Sequence, residues 1–136
     1  MTDKEIITHT GGCHCGKIRI EFDAPSNLQT IGCNCSICAK KGFIHFVVPK
    51  SKLRLVKGEF GVDISTYTFN TGVAQHYFCS TCGITPFYIP RSNPDGYSIN
   101  VRCLDNFNPE QFANLEYFDG RNWEKHAHTL AHLSKE

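Results

Sequence analysis

The stretch Cys13-His14-Cys15-Gly16-Lys17-Ile18-Arg19-Ile20-Glu21-Phe22 joins a close pair of cysteines to a run in which polar and apolar residues alternate. A period of two is the pattern of a strand with one face buried. The same pattern continues outward. Short apolar stretches rich in β-branched and aromatic residues follow at Leu28 to Ile31, Phe43 to Val48, Leu53 to Val56, Ile64 to Phe69, Gln75 to Phe78, Thr85 to Ile89 and Tyr97 to Val101. Turn-forming residues separate them at Ala24-Pro25-Ser26-Asn27, Lys57-Gly58-Glu59, Asn70-Thr71-Gly72 and Pro90 to Gly96. This punctuation predicts a mainly β fold. The tail reads differently. Asn108 before Pro109 is placed to cap a helical turn over Pro109 to Ala113, and Asn122 to cap a short C-terminal helix with Trp123, Ala127, Leu130 and Ala131 on one face. No internal repeat, low-complexity segment or linker interrupts the chain.

The 136 residues fit one domain spanning 1–136. Hydrophobic residues at 40% and charged residues at 20% exclude a disordered chain. Lys and Arg number 14 against 13 Asp and Glu, a net charge of +1. That balance gives no electrostatic footprint for nucleic acid or an anionic membrane, so no direct nucleic-acid partner is expected. No apolar run approaches the ~20 residues of a membrane span. Met1 to Gly12 carries no apolar core and no Arg-rich amphipathic stretch, so no signal or transit peptide is expected. The expected compartment is the cytosol, with the nucleus second, and both are reducing.

Eight cysteines are too many for such a chain to ignore. They fall as Cys13-x-Cys15, Cys33-x-Cys35-x-x-Cys38 and Cys79-x-x-Cys82, with Cys103 alone. Closing a disulfide across one residue is strained, and a reducing compartment would not preserve it. Tetrahedral zinc holds each thiolate at ~2.3 Å, so ligand sulfurs sit about 3.8 Å apart, a separation both spacings reach. The count then suggests a partition. The middle cluster offers three sulfurs to one ion, and the outer two leave a complete set of four. A four-ligand zinc is structural, whereas a three-ligand zinc keeps a position for water or substrate. A rival partition lends two middle cysteines to a site with Cys79 and Cys82, and spacing leaves it open. Rubredoxin-like iron or an iron–sulfur cluster fits the Cys-x-Cys spacing poorly. Cys103 reads as a small buried apolar residue, with a fourth ligand or substrate-side thiol as the alternative.

His14 and His76 flank proposed ligands and read first as satisfied or surface polar residues, with ligation or proton transfer as the sharper option. His126, His128 and His132 share the tail, and no carboxylate-bearing zinc motif accompanies them. His45, in a strand, carries no separate signal. Lys40, Lys41, Arg91 and Arg102 are candidate partners for a carboxylated substrate.

Taken together, Gly-Gly-Cys13-His14-Cys15-Gly-Lys-Ile-Arg, Cys33-Asn34-Cys35-Ser36-Ile37-Cys38 and Phe78-Cys79-Ser80-Thr81-Cys82-Gly83 resemble the glutathione-dependent formaldehyde-activating enzyme family. Thr66 to Thr71, Pro90 to Pro94, Cys103-Leu104-Asp105 and Trp123-Glu124-Lys125 resemble its centromere protein V branch. The likeness runs from about Thr8 to the C-terminus. It implies a β-tent zinc domain with a short C-terminal helix. It implies two zinc ions, one structural on Cys13, Cys15, Cys79 and Cys82, one catalytic on Cys33, Cys35 and Cys38 with an open position. It implies a carbon–sulfur lyase acting on glutathione or another small thiol and formaldehyde, of S-(hydroxymethyl)glutathione synthase type. Three thiolates make the open zinc a weak Lewis acid, which suits thiol exchange better than hydroxide generation. The alternative is a non-catalytic zinc-stabilised binding module in chromosome or cytoskeletal organisation. The vertebrate members of that branch carry a basic extension for which this sequence has no counterpart. An exposed edge strand would offer a route to a homodimer.

Overall fold

A computed structural model describes residues 5–112 and 116–135. Strand dominates it. Ile6–Gly12 (β1) and Arg19–Pro25 (β2) form a hairpin, followed by the short pair member Gly32–Cys33 (β3) and a helix at Ser36–Lys41 (α1). Then come His45–Pro49 (β4), Leu53–Lys57 (β5), Ile64–Tyr67 (β6), Gln75–Cys79 (β7), Phe87–Ile89 (β8) and Gly96–Asn100 (β9). Tyr117–Phe118 (β10) and a helical turn at Trp123–His126 (α2) lead into further 3-10 turns to Ser134. The strands make an antiparallel sheet in the order β1-β2-β5, a second in the order β4-β9-β8-β7-β6, and a parallel pair of β3 with β10. No helix among the described residues is long and apolar enough to cross a membrane.

The two larger sheets share a core because each strand sends alternate residues inward. Ile20 faces Leu55 and Phe22 faces Leu53 across β2 and β5. Phe46 and Phe87 both flank Ile99 in the larger sheet. Phe22 stacks on Phe46 with ring centroids 5.7 Å apart, which joins the sheets. Ile18, Ile20, Phe22, Ile64, Phe87 and Ile99 are essentially inaccessible. Each such side chain stabilises the fold by about 1.5–3 kcal/mol relative to exposure.

The opposite face of the large sheet is less apolar. Register places Tyr67, His76, Tyr88, Ser98 and Val47 in one row across β6, β7, β8, β9 and β4. His45 stands two residues from Val47, on the same face. This row floors a cavity.

Several expectations shift. β2 runs through Ala24 and Pro25, where a turn was expected, because Ala24 is buried and Pro25 closes the ladder opposite Ile6. Leu28 to Ile31 contributes only an isolated bridge from Ile31 to His45. β1 was not expected, since its inward positions are filled by Ile7, His9 and Gly11 rather than by an apolar series. The C-terminal helix is one turn, continued as 3-10 structure. The expected turn after Asn108 exists over Pro109–Phe112, and Ala113 lies outside the described residues.

Candidate functional site

The first thiol set comes from two loops. Cys13 and Cys15 lie between β1 and β2, and Cys79 and Cys82 lie at the end of β7. Their sulfurs all lie within 4.8 Å of one another. Cys13 Sγ is 3.7 Å from Cys15 Sγ, and Cys15 Sγ is 3.6 Å from Cys79 Sγ. Four thiolates around a tetrahedral zinc at ~2.3 Å would stand about 3.8 Å apart, so the donor set fits that ion. Backbone N–H groups of Ile18, Thr81 and Cys82 point at the sulfurs of Cys13 and Cys79 from 3.3 to 3.4 Å, as thiolates require. Gly83 lets the loop fold back with φ 80° and donates its N–H to the Cys79 carbonyl.

The second set is local. Cys33 ends β3, Cys35 caps α1 and Cys38 sits in its first turn. Cys38 N–H donates to Cys35 Sγ at 3.4 Å, and the three sulfurs lie within 4.8 Å of one another. Without a cation these thiols compete for one charge. Hydrogen bonds from Cys33 and Cys38 hold Cys35 well below the usual thiol range. Hydrogen bonds with Cys33 and Cys35, together with burial, push Cys38 far up. A bound cation is what would let all three ionise together. Gly120 confirms the tightness of the cradle. A Cβ there would lie 2.6 Å from Cys33 Sγ and 2.7 Å from Cys35 Cβ.

Cys103 belongs to neither set. Its thiol donates to the Thr85 carbonyl at 3.6 Å, and burial pushes it up to about 12. Among the described residues no third cluster has the geometry to hold a metal, which leaves His126, His128 and His132 without one. His14 is exposed. His76 is buried and stacked on Tyr88 at 4.8 Å, and burial lowers it to about 4.

Cys33, Cys35 and Cys38 border a cavity of about 400 Å³. Its floor is the row of His76, Tyr88, Ser98 and Val47, joined by His45. Phe69 and Phe118 wall it, and the tail covers it with Gly120, Arg121, Trp123 and Leu130. Of the four basic residues named as anion partners, Arg91 lines the cavity. Its guanidinium lies 3.7 Å from the centre of the Trp123 ring and pairs with Glu124 at 2.8 Å. Arg102 instead donates to the Gly42 carbonyl, and Lys40 and Lys41 are exposed in the last turn of α1. Arg121, unremarked in the sequence, borders the cavity and is anchored through Nε to the Asn34 carbonyl at 3.1 Å.

His45, Tyr88 and Ser98 were also missed. Their signal is polar groups in one row on the cavity face of the large sheet, visible only once the register is known. The family model of the glutathione-dependent formaldehyde-activating enzyme matches residues 8–119. A crystal structure of a Rhodobacter sphaeroides protein, a structural genomics target, is 35% identical with a TM-score of 0.72. That alignment covers 80% of this chain and 99% of the other.

Proposed function

The chain belongs to the glutathione-dependent formaldehyde-activating enzyme family, and from that premise we propose that it is a zinc-dependent carbon–sulfur lyase that joins and separates a small thiol and an aldehyde. The supporting observation is the three-thiol cluster opening on a cavity of about 400 Å³, beside a separate four-thiol set. Cys33, Cys35 and Cys38 would hold the catalytic ion, and Cys13, Cys15, Cys79 and Cys82 the structural one. The catalytic ion, when bound, supplies the positive charge that favours a thiolate over a thiol in its neighbourhood.

The reaction balances simply. The thiol sulfur bonds to the carbonyl carbon, the C=O π pair moves to oxygen, and the proton the thiol gave up ends on that oxygen. The reverse direction breaks the C–S bond and returns the proton. The protein's residues hold the partners together. Phe69, Tyr88, Phe118 and Trp123 would present aromatic surface to the reacting carbon. Arg121 and Arg91 stand at the cavity wall, where they would meet the carboxylates of a thiol such as glutathione. A binding module of the centromere protein V kind would leave the cavity beside the three thiols without a purpose.

The test follows exchange between free glutathione with formaldehyde and their adduct by NMR. Zinc-loaded protein is expected to accelerate exchange, and Cys35→Ser to abolish the acceleration with the fold retained. A fully loaded protein that does not exceed buffer would refute the reading.

A further inference from the structure

His45 sits in β4 with its ring almost fully enclosed, 5% exposed, and it lines the cavity beside the three thiols. Its two nitrogens have different surroundings. Nδ1 is 2.9 Å from Ser98 Oγ and 3.5 Å from the Tyr88 hydroxyl. Nε2 is buried with no hydrogen-bond partner, the one such side-chain atom among the described residues, and it lies just behind the cavity surface, so an oxygen in the cavity meets it only with a small shift of the side chains around it. An unmade hydrogen bond at a buried polar atom costs ~1–3 kcal/mol, so folded chains rarely keep one without a use.

Counting protons assigns the tautomer. Ser98 Oγ is fully enclosed, and His45 is its partner. If Nδ1 carried the proton, Ser98 would accept it, and its own hydroxyl hydrogen would be stranded as well as Nε2. If Ser98 donates to Nδ1, that hydrogen is satisfied, the Tyr88 hydroxyl turns to the Cys38 sulfur, and a single group remains open, an N–H at Nε2. Phe43 packs on the ring with centroids 4.4 Å apart and Tyr88 meets it edge-on at 5.7 Å, so the imidazole is fixed in orientation. Burial holds it neutral, near a pKa of 4.

We propose that the Nε2–H of His45 is a catalytic hydrogen-bond donor, preorganised by Ser98, that binds the aldehyde oxygen as it turns from carbonyl to alkoxide. This rests on the thiol–aldehyde reading and assigns that reaction's oxyanion to a residue. The donor keeps its own proton. It stabilises the oxygen while the C–S bond forms, and the oxygen then takes up the proton released by the thiol. A neutral donor suits the site, because a cationic ring would be drawn to the thiolates instead of to the weaker carbonyl dipole. Removing one oxyanion donor typically lowers kcat by about 10²–10³-fold.

Two variants separate the nitrogens. His45→Asn places an amide where Nδ1 was and retains the contact with Ser98, whereas His45→Gln places one where Nε2 was. The proposal expects His45→Asn to lose kcat by about 100-fold with the KM for glutathione little changed, and His45→Gln to recover at least part of it. A purely structural histidine would give the opposite order. The second measurement uses the zinc-loaded wild type with ¹⁵N-labelled histidine and does not depend on turnover. The ring of His45, assigned by its disappearance in His45→Asn, should be neutral with the proton on Nε2, and that signal should move when glutathione and formaldehyde are added. An Nδ1–H tautomer, a signal unmoved by saturating substrates as for a resident water partner, or full activity in His45→Asn would overturn the proposal. If the wild type itself fails to accelerate exchange, the thiol–aldehyde reading falls on that result. The His45 donor is then judged by its tautomer and by the response of the Nε2–H signal to glutathione alone.

Discussion

At the residue scale the site depends on small tolerances. Gly120 lies against Cys33 and Cys35 so closely that even a methyl group has no room, with 2.6 Å to a sulfur and 2.7 Å to a Cβ. Gly120→Ala should push Cys33 out of ligand position. The expected result is loss of one zinc ion per chain, from the three-thiol set, with the four-thiol set still loaded. Metal analysis of the purified variant checks it, and full occupancy of both sets would show that the cradle yields. His76 tests a different property. Burial lowers it from 6.5 to about 4, so between these values the unfolded chain binds a proton that the folded chain refuses. Stability is therefore complete above pH 6.5 and declines as pH falls toward 4, by roughly 3 kcal/mol for this ring. His76→Phe, which preserves stacking on Tyr88, should reduce the slope of unfolding free energy across that window, measured by urea denaturation, and leave the part due to buried His45. An unchanged slope would mean that His76 takes up its proton equally in the folded and unfolded chain.

At the element scale, one buried side chain holds the end of the tail to the rest. Asn93, 1% exposed, donates to the Leu130 carbonyl at 2.8 Å, the Ala131 carbonyl at 3.3 Å and Ser134 Oγ at 3.0 Å. Asn93→Ala leaves these acceptors bare and should cost about 1–3 kcal/mol. Because Trp123, Arg121 and Leu130 roof the cavity, the KM for glutathione should rise while metal content stays constant. Hydrogen exchange across residues 120–135 reports the detachment, and unaltered protection there would contradict it. How well each element was legible in the sequence follows from what dictates it. β5, β6, β7 and β9 lie close to their apolar stretches, because local alternation specifies them. β1 was missed because a histidine and glycines fill its buried positions. α1 was missed because its six residues form around Cys35 and Cys38, where the cysteine spacing hid the helix. The three cysteine runs could be read from spacing, but spacing left their division into sets of four and three open, and the fold supplies it by bringing the loop after β1 to the end of β7. The polar row of His76, Tyr88 and Ser98 could not be read, because only the pairing of β7, β8 and β9 brings it together.

At the scale of the whole molecule, the two thiol sets differ in what they hold together. Cys33, Cys35 and Cys38 come from one short segment whose path is already fixed by α1 and by the β3–β10 pair. Removing an ion there should leave the backbone where it is. Cys13 and Cys15 lie in the loop between two strands of the small sheet, Cys79 ends a strand of the large one, and Cys82 follows it. An ion on that set ties the β1–β2 loop to the loop after β7, so its binding energy is folding energy. For structural zinc in small domains that is on the order of 10–16 kcal/mol. The polar tie between these loops is weak, an exposed 3.0 Å hydrogen bond from Lys17 to Thr81, and the apolar contact there is made largely by the cysteines themselves and Ile18. Titration with a chelator should therefore proceed in two steps. The first releases the ion from the three-thiol set and ends exchange activity while the far-UV spectrum persists. The second releases the remaining ion and unfolds the chain. Cys79→Ser should be expressed unfolded or insoluble, whereas Cys35→Ser should fold. Zinc release followed by a metallochromic dye, alongside circular dichroism, decides the matter. Concerted release with simultaneous unfolding would show that the two sites are one cooperative unit, and the division into a scaffold ion and a working ion would fail.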